Sequence, residues 1–178
     1  LTLAAAVALY LLCRDLCRRT PAALEWLAAG VLALGLCEAL PALRQYLATQ
    51  AATEAAAAGA AELARGTFGN RNLLAAFLEG CYGVALGVLA GRLEAGRRDW
   101  RRPGAMLLAA LAVLTASAAG VAILFSFSRM GIISLGVATL AMGLAAASGG
   151  VGLGGLLVAL LIQPLIVVAV GLRAARAV

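Results

Sequence analysis

Arg65 and Arg71 bracket Gly66-Thr67-Phe68-Gly69-Asn70, and Asn72 follows at the doorstep of an apolar run. Asn70 is an N-cap residue, and the glycines let other groups approach the backbone closely. The first turn of a helix presents unpaired N–H groups at the positive end of its dipole. Such an end binds anions. A guanidinium on either side can grip a phosphate with two parallel hydrogen bonds. The chemistry suggested by this stretch is therefore phosphate binding. On the residues alone, a second account stays open, in which Asn70 simply caps the helix and the arginines reach out to lipid headgroups.

A second stretch has the same character. In Phe125-Ser126-Phe127-Ser128-Arg129-Met130, Ser128 can cap a helix whose first turn carries Arg129. A cation at a helix N-terminus is repelled by the dipole, and a bound anion would relieve the conflict. Here too an arginine reaching the headgroups of a short outer hairpin is the alternative.

The elements that must position these residues are membrane helices. The chain has 178 residues, 64% of them hydrophobic and 12% charged, with a mean hydropathy of +1.02. A soluble domain would carry about 25% charged residues. Apolar segments are expected at about 1–12, 22–47, 72–90, 104–127, 130–147 and 151–172. Pro21 and Pro103 sit where helices start. The expected fold is an all-α integral membrane protein of about six transmembrane helices, residues 1–178 forming one transmembrane domain within a larger bundle. The chain opens on Leu1 inside an apolar run with no charged n-region, so no signal peptide is expected and the chain reads as a piece of a larger membrane protein.

The net charge is +6, and every basic residue is Arg. Arg14, Arg18 and Arg19 cluster in one loop, and Arg92, Arg97, Arg98, Arg101 and Arg102 in another. The positive-inside rule places both in the cytoplasm, so residues 91–103 form a cytoplasmic loop and the Ala-rich residues 48–69 an outer one. The polar doorsteps at residues 65–72 and 128–129 then begin two helices on the same outer side. Two anion sites on one surface suit a ligand with two phosphates. Basic charge of this kind points to membrane lipids; nucleic-acid binding would need a soluble basic face with stacking aromatics, which is absent.

Other polar residues are less specific. Cys13, Cys17, Cys37 and Cys81 come with no His, so neither a metal site nor a cofactor is expected and the cysteines read as free thiols. Glu38 and Glu79 lie within apolar segments, where each is expected to pair with an Arg or Ser of a neighbouring helix; a proton relay in a transporter is the rival use, and for Glu79, about two turns below the doorstep, an outer general base is a further one. The GxGxxG-like run in residues 147–157 lacks the preceding strand of a dinucleotide site and reads as a turn between closely packed helices.

The two doorsteps resemble the O-antigen ligase and O-antigen polymerase superfamily of bacterial membrane proteins. That family shows an Arg and then a Gly-x-Phe-x-Asn-Pro-Asn-x-x-Ala pattern entering a membrane helix; here it reads Arg65, then Gly66 through Ala75 with Arg71 in place of the Pro. The family's later Ser-Arg-Gly-like junction corresponds to Ser128-Arg129-Met130-Gly131, and residues 39–47, with Gln45-Tyr46, look like the segment before its outer loop. The resemblance implies a metal-independent glycosyltransferase in the bacterial inner membrane. Its substrate would be an undecaprenyl-diphosphate-linked glycan and its acceptor lipid A core or another glycan. A polymerase extending the same lipid-linked glycan is the close alternative, and a polysaccharide or small-solute transporter the distant one. Arg65, Arg129 and Arg71 would bind the diphosphate, supported by Asn70, Asn72 and Ser128. Ligases of the family use a His in a large outer loop; this chain has none, which leaves the catalytic base unassigned.

Overall fold

A computed structural model of the chain describes residues 20–55, 66–95 and 102–148. They form four helices: α1 (Pro21–Ala55), α2 (Arg71–Ala95), α3 (Pro103–Phe125) and α4 (Arg129–Ser148). No strand occurs among the described residues. Stretches within α1, α2 and α3, namely Ala22–Thr49, Arg71–Arg92 and Pro103–Phe125, are each long and apolar enough to cross a membrane, whereas α4 contributes a shorter apolar stretch, Arg129–Ala141. The chain is a helical membrane protein. The expected first and sixth segments, 1–12 and 151–172, lie outside the described residues.

Both prolines act as helix starters. Pro103 occupies the first position of α3 behind an extended Arg102 (φ −82°, ψ 123°), where its missing N–H costs nothing. Two boundaries differ from the expected loops. α1 continues past Leu47 to Ala55, so the segment 48–69 begins as helix, because alanine is the strongest helix former. α2 likewise runs on to Ala95 beyond residue 91.

Helix directions follow from four contacts. Arg92, near the end of α2, donates from Nη2 to Glu25 Oε1 near the start of α1 at 2.8 Å. Tyr46 in α1 stacks on Phe125 at the end of α3, with ring centroids 4.2 Å apart and planes 8° from parallel. Gly131 in the first turn of α4 packs on Ala75 near the start of α2, and Tyr82 and Thr139, midway along the same two helices, share a hydrogen bond at 3.0 Å. α1 and α3 thus run one way, and α2 and α4 the other. The starts of α2 and α4 meet at one end of the bundle, as the count of crossings requires.

Small residues let the helices approach. α3 buries Ala105, Ala109, Ala112, Ala116, Ala119 and Ala122 along one stripe, while Met106, Leu107, Val113 and Leu114 face outward. At Gly35 three helices converge: a Cβ there would stand 2.7 Å from Cys81 Cβ on α2 and 3.0 Å from Thr115 Cγ2 on α3. Thr115 donates its hydroxyl across the same interface to the Leu32 carbonyl at 3.0 Å.

Candidate functional site

The doorstep before α2 is a tied-down loop. Gly66 and Gly69 both have φ +59°, the left-handed region that side chains disfavour. Gln45 of α1 clamps Gly66 with two hydrogen bonds: the Gly66 N–H donates to Gln45 Oε1 at 3.0 Å, and Gln45 Nε2 donates to the Gly66 carbonyl at 3.1 Å. Thr67 is held by Glu38, half-buried on α1. Its hydroxyl lies 2.8 Å from both carboxylate oxygens, and its N–H donates to Oε2 at 3.3 Å. Glu38 therefore finds its partner in the loop and not, as the sequence suggested, in an Arg or Ser of a neighbouring helix. The physical cause is local: the left-handed turn leaves loop N–H groups without backbone acceptors, and a carboxylate supplies one. Phe68 packs its ring on Phe77 at 5.3 Å, pinning the loop to α2.

Asn70 caps α2 as its sequence position suggests. Its Oδ1 accepts from the Asn72 N–H at 2.9 Å, and its carbonyl accepts from Leu73 and Leu74, each at 3.1 Å. The turn before α4 is built the same way. Ser126 Oγ donates to the Ile123 carbonyl at 2.7 Å and accepts from the Ser128 N–H at 3.3 Å. Phe127 turns the chain with φ +49°. Ser128 Oγ then accepts from the Gly131 N–H at 3.3 Å, capping α4. Ser126 and Ser128 are both buried.

The two helix starts line one open cavity of about 530 Å³. Arg71, Asn72 and Glu79 line it from α2, and Ser128, Arg129 and Ser134 from the α4 side. Its size lies within the usual range of ligand pockets, about 300–1,000 Å³. Neither helix has an acidic residue in its first turn to offset the dipole. Arg71 and Arg129 are exposed, and among the described residues neither guanidinium has a hydrogen-bond or ion-pair partner. Each helix thus adds an exposed, unpaired cation to an already positive end. Such an arrangement attracts an anion with several oxygens. Two clefts at the opposite end, around Glu25, are lined almost wholly by apolar side chains.

The expected site residues divide as follows. Arg71, Asn72, Ser128 and Arg129 come together at this cavity. Asn70 serves the helix cap beside it. Arg65 lies outside the described residues, as do Cys13 and Cys17. Cys37 and Cys81 are free thiols, and among the described residues no three His, Cys, Asp or Glu side chains gather as a metal site. One contributor escaped the sequence pattern: Gln45 acts through a loop distant in sequence, for which no local signal exists. Glu79 lines the cavity two turns below the doorstep, as its helical spacing with Asn72 and Ala76 allows. Among the described residues it has no hydrogen-bond or ion-pair partner, contrary to the expected pairing with an Arg or Ser of a neighbouring helix.

No protein-family model, curated protein or solved structure matches the chain.

Proposed function

We propose that the chain carries the diphosphate site of a membrane glycan transferase, one that moves an undecaprenyl-diphosphate-linked polysaccharide to an outer acceptor such as lipid A core in the bacterial inner membrane. The observation that carries this function is the meeting of two capped helix starts, each with an arginine in its first position, on one cavity at one end of the bundle. The resemblance of Gly66–Ala75 and Ser128–Gly131 to the O-antigen ligase superfamily supports the same substrate. In the reaction, an acceptor hydroxyl oxygen bonds to the anomeric carbon of the glycan. The bond from that carbon to the diphosphate oxygen breaks, and its electron pair leaves with the diphosphate. Helix N–H groups and two guanidinia stabilise the charge that develops there.

Deleting the gene and profiling lipid-linked and surface glycans tests the function, with complementation by wild type, Arg65→Ala, Arg71→Ala and Arg129→Ala. Long glycan stranded on the lipid carrier, restored by wild type and not by Arg129→Ala, is the result expected of a ligase. Single repeat units at the surface would instead mark a polymerase using the same site. Unchanged glycans, or full rescue by all three variants, would overturn the diphosphate site and favour a transporter.

A further inference from the structure

Transfer to a hydroxyl acceptor needs a group that takes up the hydroxyl proton. Among the described residues that line the cavity there is no His. Around the cavity, Arg71 and Arg129 are permanently charged, and Asn72 and the serine hydroxyls are not bases. Ser128 is further committed to capping Gly131, and Ser134 donates to the Gly131 carbonyl at 3.1 Å. Glu79 remains. It is half-buried, lines the cavity, and among the described residues has no hydrogen-bond or ion-pair partner. At 1.5 Å rise per residue it lies about 12 Å along α2 from Arg71, and helical side chains lean back toward the N-terminus, here toward the arginines. A carboxylate in a cavity that otherwise selects anions is repelled by the proposed ligand, so it needs a reason of its own to be there.

We infer that Glu79 is the catalytic base of the glycan transfer, a role that rests on the function proposed above. Its carboxylate accepts the proton of the acceptor hydroxyl as the acceptor oxygen bonds to the anomeric carbon. The carbon–oxygen bond to the diphosphate breaks, and the electron pair departs with the diphosphate. Glu79 then releases the proton to water and regains its charge. The arginines grip the leaving group; Glu79 activates the nucleophile. One cavity thus separates the two tasks by about two helical turns.

The test reconstitutes the whole protein in phosphatidylcholine vesicles with an undecaprenyl-diphosphate-linked glycan and lipid A core. Wild type, Glu79→Gln, Glu79→Asp and Arg129→Ala are compared for binding of the lipid-linked glycan and for kcat and KM of transfer. Glu79→Gln should lower kcat by about 10²–10⁴-fold, the usual contribution of a general base, with glycan binding unchanged. Glu79→Asp should recover part of the rate, since it restores a carboxylate. Thermal unfolding of each variant shows that it is folded, and Glu79→Asp decides the matter if the Gln variant is not. An unchanged kcat in Glu79→Gln, or a raised KM at unchanged kcat, overturns the role. If wild type transfers glycan and Arg129→Ala loses binding while Glu79→Gln keeps full rate, Glu79 alone is ruled out. If wild type binds no lipid-linked glycan, the proposed function falls and the role of Glu79 with it.

Discussion

Gly131 of α4 lies so close to Ala75 of α2 that a Cβ added to it would stand 3.0 Å from the Ala75 Cβ. This contact sets how far apart the first turns of the two helices sit, and so the spacing of Arg71 and Arg129 across their cavity. A methyl carried directly on a helix backbone cannot swing aside. Gly131→Ala should therefore push α4 outward and cost about 1–3 kcal/mol, the usual range for overpacking. It should also weaken diphosphate binding. Thermal unfolding in detergent and a binding isotherm with undecaprenyl diphosphate check both effects, and unchanged binding would show that the spacing is unimportant.

Arg129→Ala and Arg71→Ala should each weaken diphosphate binding by about 10- to 150-fold, the loss of a charge-assisted hydrogen bond worth about 1.5–3 kcal/mol. Stability should not fall, because both side chains are exposed and each sits at the unfavourable end of a dipole. A variant that lost stability in step with binding would point to a structural role. Binding by wild type should weaken as salt is raised, since exposed charges are screened.

The tie between Glu38 and Thr67 holds the doorstep loop to α1. Thr67→Val removes the hydroxyl while keeping the shape, and Thr67→Ser keeps the hydroxyl. The valine variant should lose about 1 kcal/mol, less than a fully buried charged hydrogen bond because Thr67 is exposed, and the serine variant much less. A double-mutant cycle with Glu38→Gln should show coupling between the two positions. Additive losses would mean that the pair does not cooperate.

Gly66 and Gly69 share φ +59° but differ in their surroundings. A Cβ at Gly66 would meet Leu74 Cδ1 at 3.1 Å and Glu38 Oε2 at 3.3 Å, while a Cβ at Gly69 meets nothing within 4 Å. Gly69→Ala should cost only the backbone penalty, about 1–2 kcal/mol. Gly66→Ala should cost more and disturb the Glu38 clamp. Equal unfolding midpoints for the two variants would contradict this ranking.

Gly35→Ala tests the three-helix crossing. The new methyl would meet Cys81 Cβ at 2.7 Å, a distance that no rotamer change relieves, so the helices must separate. The variant should be less stable than Thr115→Val, which removes a single interhelical hydrogen bond worth about 0.6–2 kcal/mol in a membrane. The reverse order in detergent unfolding would place the bundle's tightest point elsewhere.

Much of the site was legible in the amino-acid sequence because it depends on local chemistry and on parity. Asn70 and Ser128 cap helices through hydrogen bonds to N–H groups within three residues, and Pro103 starts a helix through its own ring. The alternation of apolar runs is enough to put the starts of α2 and α4 at the same end. The sequence does not say which helices lie side by side. α1, α3 and α4 show no polar–apolar asymmetry, and only α3 carries a stripe, of alanines, that marks a packing face. That choice is made by close contact at small residues: Gly35 against Cys81 and Thr115, and Gly131 against Ala75. Only those contacts bring Arg71 and Arg129 to one cavity, turn Glu79 toward it, and lay Glu38 and Gln45 under a loop more than twenty residues away in sequence. Local hydrogen bonding and hydropathy are written along the chain, whereas shape complementarity between helices exists only once they have met.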